Sequence, residues 1–101
     1  MKVYLDRKND LTKAEGEYDR KKGTLIVKKG SVVSKEVRYS NTFHGSQAIE
    51  KLRSKYVIDG IVHKDVAFSS ASAAANFVCG SSTNGLIAWK TDKGIKLKDI
   101  I

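Results

Sequence analysis

Apolar residues take alternate positions early in the chain and fall on a helical period further along. In residues 1–5, Val3 and Leu5 alternate with Lys2 and Tyr4. That pattern predicts an edge strand, followed by a charged loop over 6–10. Residues 13–19 and 24–33 flank Arg20-Lys21-Lys22-Gly23 and predict a β-hairpin with a basic tip. Leu25 and Val27 share its buried face, and Gly30-Ser31 interrupts the second arm as a bulge or bend before Val32-Val33. After a polar connection at 35–42, Ala48, Ile49, Leu52 and Tyr56 mark one face of a helix that begins at Gly45 or Ser46. Glu50, Lys51, Arg53 and Lys55 cover the opposite face. Asp59-Gly60 reads either as a tight turn between Val57-Ile58 and Ile61-Val62 or as the stop of that helix, and the helical spacing favours the stop.

The stretch from Phe68 to Lys90 carries the densest signals. Val66 and Phe68 lead as a strand into Ser69, Ser70 and Ser72, which precede Ala73-Ala74-Ala75. A serine ahead of strong helix formers accepts hydrogen bonds from first-turn N–H groups, so a helix starts near Ser70 or Ser72. Gly80 ends it in the left-handed conformation. Asn84-Gly85 predicts a turn into a short apolar strand over 86–89, and Lys93-Gly94 a further turn. Residues 96–101 predict a last helical turn that tucks Leu97 and Ile100 onto the sheet. Phe68, Phe77, Trp89, Leu25, Val27, Ile49 and Leu52 are expected to form one core.

At 101 residues the chain suits a single domain, 1–101, large enough for a core without metals or disulfides. One cysteine, Cys79, makes no internal disulfide and reads as a small buried hydrophobe in a reducing, cytoplasmic setting. No apolar run is long enough for a membrane span, and the first residues are too polar for a signal peptide.

Charge changes the picture more than composition does. Nineteen Lys and Arg against eleven Asp and Glu leave +8. Between Arg20 and Arg38, seven basic residues face only Glu36, so +6 of that excess sits in nineteen residues. Such a cluster is either a solvated hairpin or a surface for a polyanion. His44 and His63 stand at no metal-ligand spacing with Cys79 or an acid, no Gly-x-Ser-x-Gly elbow occurs, and phosphate-loop patterns are absent. Two features remain that suit a ligand. Ser69, Ser70 and Ser72 bring hydroxyls to a helix N-terminus, where capping is the plain reading and a phosphate oxygen the functional one. Asn84, Gly85, Trp89 and Lys90 combine an amide, an indole and an ammonium, which suit either core and turn or a base with its phosphate.

Ala14-Glu15-Gly16 with a hydrophobic strand running into Lys29-Gly30-Ser31, then Phe68-Ser69-Ser70-Ala71-Ser72-Ala73-Ala74, then Asn84-Gly85 and Trp89-Lys90 resemble the small bacterial domain of unknown function 4357. The resemblance covers roughly residues 12–100, leaving 1–11 as an N-terminal extension. The family is similar to the restriction-enzyme adenine methylase associated domain and is often attached to nuclease-like or restriction-associated proteins. It therefore implies an accessory module that binds DNA, modified or not. This chain has Ala71 where the family shows proline and Leu86 where it shows an aromatic residue, so a stacking contact at that second position is not made.

The expected fold is α+β: a small antiparallel sheet of about four strands with a basic β-hairpin and two helices packed on it. The expected function is a non-enzymatic, monomeric DNA-binding module without cofactor or metal. Its contacts to double-stranded DNA are assigned to Arg20, Lys21, Lys22, Lys28, Lys29, Ser70, Ser72, Asn84, Trp89 and Lys90. The alternative is a protein-interaction domain whose basic hairpin docks an acidic partner, such as a nuclease or restriction component.

Overall fold

The computed structural model describes residues 1–7, 12–35 and 46–101. In chain order the elements are β1 (Lys2–Arg7), β2 (Thr12–Tyr18), β3 (Leu25–Val27), α1 (Ser46–Tyr56), β4 (Val57–Ile58), β5 (Ile61–Val62), β6 (Val66–Phe68), α2 (Ala71–Cys79), α3 (Gly85–Ala88) and a 3-10 turn at Leu97–Asp99. Residues 8–10 of the expected first loop, most of the 35–42 connection, His44 and Gly45 lie outside the described residues.

The alternation becomes a four-stranded antiparallel sheet in the order β1-β2-β3-β6. Because successive strand residues point to opposite faces, Val3, Leu5, Ala14, Tyr18, Leu25, Val27, Val66 and Phe68 are all buried on one side. Helix α2 covers that side, touching β2, β3 and β6. Phe77 is fully buried, its ring 5.2 Å from that of Phe68, and Trp89 is also fully enclosed. Gly16 makes room for that indole: a β-carbon there would stand 2.8 Å from Leu25 Cδ2 and 3.3 Å from the Trp89 ring. The expected core is present, with Ile49 buried and Leu52 half-buried at its margin. Strand β1 is at the sheet edge as expected but runs on through Asp6 to Arg7, beyond the predicted end at Leu5.

The break at Gly30-Ser31 is a two-residue bulge. Val27 pairs with Gly16, and Val32 resumes the ladder opposite Lys13, so five steps of chain oppose three. Ser31 fills the gap, its Oγ accepting from Glu15 N at 3.1 Å. Val32 also bridges Ile61, which joins the small β4–β5 hairpin to the sheet.

Three sequence expectations are corrected here. Gly60 does not end the helix. Helix α1 stops at Tyr56, and Asp59 (φ 51) and Gly60 (φ 78) make the tight turn of the β4–β5 hairpin. That alternative wins because the neighbouring strand captures it: Gly30 N donates to Val62 O, Val62 N to Ser31 O and Val33 N to Gly60 O, at 2.7 to 2.9 Å. Asn84-Gly85 does not open a strand either. Asn84 caps the one-turn helix α3, its Oδ1 accepting from Leu86 N at 3.1 Å. Arg53, placed by helical spacing on the solvent face, turns inward to the C-terminus of α2. There its guanidinium donates to the carbonyls of Phe77, Val78 and Ser34 and to Ser34 Oγ, at 2.8 to 3.0 Å. The Phe77 and Val78 carbonyls are among the orphans of a helix end, and Ser34 Oγ completes the cap by donating to Cys79 O at 2.8 Å.

Helix α2 itself starts and stops where its caps predict. Ser70 Oγ accepts from Ala73 N, and Gly80 (φ 67) closes the C-terminus. Cys79 is a buried free thiol. Leu97 is buried under the closing turn, with Ile100 packed beside it.

Candidate nucleic-acid interface

The basic hairpin tip is built by Asp19. Its Oδ1 accepts from the backbone N–H groups of Lys21 (2.9 Å) and Lys22 (3.2 Å), and Gly23, at φ 71, returns the chain to Thr24. Because this carboxylate is turned to the main chain, the Lys21 and Lys22 ammonium groups project into solvent with no ion pair among the described residues. Arg20 is held by its Nη2 donating to Ile100 O at 2.6 Å, which sets the tip against the closing turn and its exposed Lys98. Beside the tip lies an open groove of about 600 Å³ lined by Glu17, Tyr18, Arg20, Lys21, Lys22 and Ile26 among others.

Lys28 and Lys29 do not belong to that tip. They follow β3 at its opposite end, separated from it by at least the length of three strand residues, about 10 Å. Lys28 Nζ is ion-paired with Asp65 Oδ2 at 3.0 Å, and Lys29 N donates to Asp65 Oδ1 at 2.8 Å. These contacts, the Lys29 N–H first, hold the Asp65 carboxyl below its ordinary range, and Asp65 raises the Lys28 ammonium in turn. The nineteen-residue basic run is therefore two clusters.

The structure gives Ser70, Ser72, Asn84 and Trp89 internal partners. Ser70 and Asn84 cap α2 and α3, Ser72 Oγ accepts from Gly85 N at 3.0 Å, and Trp89 Nε1 donates to Ala71 O at 3.0 Å. Trp89 is fully buried, so neither ring face is open to a base. The Ser72 and Trp89 contacts pin α3 to the first turn of α2. Lys90 is on the surface, as is Asn84, and the Lys90 backbone exchanges both hydrogen bonds with Tyr4 at 2.7 and 2.9 Å.

That exchange brings together residues that the linear order leaves apart. Partners in an antiparallel ladder point to the same side. The outward face of the sheet therefore carries Lys96, Lys90, Tyr4 and Glu15 in one row and Asp6, Lys13, Val32, Ile61 and Ile58 in the next. A second groove, about 310 Å³, opens between these rows over Tyr4, Lys13, Glu15, Lys29, Gly30 and Val32. The period-two pattern of β1 puts Tyr4 outward, but only the register shows what stands beside it.

Among the described residues no three His, Cys, Asp or Glu side chains are grouped to hold a metal ion, and no helix is long and apolar enough to cross a membrane. No curated protein and no solved structure matches the chain. A family model matches residues 4–101, taking in most of β1 together with every later element. Its matched span includes the Gly16 seat for Trp89, the capped helix α2 and the Asn84-Gly85 corner, and on that match the chain belongs to the family described as domain of unknown function, DUF4357.

Proposed function

We propose that this domain is a non-enzymatic DNA-binding module whose phosphate contacts come from the hairpin tip, an accessory to a restriction or nuclease system. The observation that carries the reading is the pair Lys21 and Lys22, exposed at the end of a hydrogen-bonded turn, with the Asp19 carboxylate bonded to their own backbone. Two ammonium groups held this way meet phosphates without first breaking an ion pair, and a net charge of +8 draws the polyanion in. The similarity of the family to the restriction-enzyme adenine methylase associated domain is in keeping with the same partner and makes methylated duplexes part of the reading. Lys28 contributes less, because Asp65 already neutralises it.

The test is titration of labelled duplexes, unmodified and methylated, at two salt concentrations, beside an acidic protein of matched charge. Lys21→Gln with Lys22→Gln should weaken binding to all duplexes alike and flatten the log–log salt slope by about 0.9 for each phosphate no longer neutralised. A double variant that binds duplex as tightly as the parent at low salt removes the support for this reading. Binding of the acidic protein in preference to DNA would assign the tip to a protein partner.

A further inference from the structure

We infer that the groove over Tyr4 on the outward sheet face is a binding site for a single unpaired nucleobase, with its flanking phosphates on Lys13 and Lys29. This rests on the reading of the domain as a nucleic-acid binder but uses a different surface from the hairpin tip.

Tyr4 is half-buried and presents its ring to a groove of about 310 Å³, at the lower end of the volumes that small-molecule pockets occupy. The bulged stretch Lys29-Gly30-Ser31 forms one wall, and Gly30, at φ 93 with nothing within 4 Å of a would-be β-carbon, leaves that wall open. Charge sorts the ligand. Glu15 stands directly across from Tyr4 in the ladder, so a phosphate is repelled from the floor. Lys13 and Lys29 stand at the rim, exposed; Asp6 faces Lys13 in the ladder and Asp65 accepts from the Lys29 backbone, but neither ammonium is in an ion pair among the described residues, and Lys90 and Lys96 continue the row beyond Tyr4. An uncharged ring over Tyr4 with anionic groups to either side is the arrangement of a nucleotide strand. Stacking of a base on an aromatic side chain between cations is how sheet surfaces hold unpaired nucleic acid. A fully paired duplex keeps its bases inside the stack and cannot reach Tyr4, so the ligand is a single strand or a base displaced from a duplex.

The probes are a short oligodeoxyadenylate, a duplex with one unpaired adenine, and the same duplex fully paired. Tyr4→Leu keeps an apolar side chain and removes the π face; it should bind the single strand about tenfold more weakly, with Tyr4→Phe close to the parent. Loss confined to the bulged duplex would identify a displaced base as the ligand. Photocrosslinking of the parent protein with a 5-iodouracil oligonucleotide reads the site without depending on a variant's folding, and the crosslink should map to Tyr4. A crosslink at the hairpin tip instead, or Tyr4→Leu matching the parent on both unpaired probes while duplex binding persists, overturns the base site and leaves the proposed function standing. Absence of binding by the parent to any of the three probes overturns both.

Discussion

Gly85 lies against Ala71 so closely that a β-carbon on Gly85 would overlap the Ala71 carbonyl group. The backbone of α3 rests directly on the first turn of α2, and Trp89 Nε1, one turn further on, donates to that same Ala71 carbonyl oxygen. Space, rather than backbone conformation, requires glycine here, since Gly85 is not among the residues with positive φ.

Gly85→Ala should therefore cost about 3 kcal/mol or more, at the upper end of overpacking penalties, because the obstacle is backbone. Gly94→Ala, at φ 82 in open space, should lose only the left-handed strain of about 1 to 2 kcal/mol. Urea denaturation of the two variants checks the order; equal losses would contradict the close approach.

Arg53→Met should destabilise the fold by about 2 to 3 kcal/mol, since the Phe77 carbonyl loses its guanidinium donors at the end of α2 and the Val78 carbonyl keeps only Ser34 N. Arg53→Lys should recover only part, because one ammonium cannot match a planar fork that reaches several acceptors. Hydrogen exchange at the last turn of α2 should rise in both. An unchanged exchange rate would place the cap elsewhere.

The Asp65 carboxyl gives stability a dependence on acid. Its folded-state pKa lies below the unfolded value of about 3.9, so its contribution is complete at neutral pH. It disappears as pH falls from about 4 through the lowered folded value. Thermal melts of the parent and Asp65→Asn should differ at pH 7 and converge towards pH 2. A difference that stays constant across that range would show that the pair with Lys28 and Lys29 does not titrate as the geometry requires.

Asn84→Ala separates structure from recognition. Loss of the cap on Leu86 N should cost about 1 kcal/mol of stability while leaving DNA affinity and discrimination unchanged. Reduced discrimination in a variant that remains folded would restore Asn84 to the binding surface.

Local rules settled the elements whose polar groups find partners within a few residues. Ser70 and Gly80 bracket α2 at three and four residues' reach, and Leu25 and Val27 share a face because a strand has period two. These were legible in the chain. Tertiary structure decided the cases in which a short signal has two local solutions or a partner lies far along the sequence. Asp59-Gly60 becomes a hairpin turn because the bulged strand captures Val62, and Asn84-Gly85 becomes a helix cap because Trp89 must reach Ala71, eighteen residues back. Arg53 leaves the solvent face for carbonyls twenty-four and twenty-five residues on, since a guanidinium that satisfies a helix end outweighs its hydration. The same reason divides the candidate site. Sequence proximity groups Lys21, Lys22, Lys28 and Lys29, but β3 carries the second pair to the far end of the hairpin. Strand register, which no local pattern encodes, sets Lys90 beside Tyr4 on the sheet's outward face.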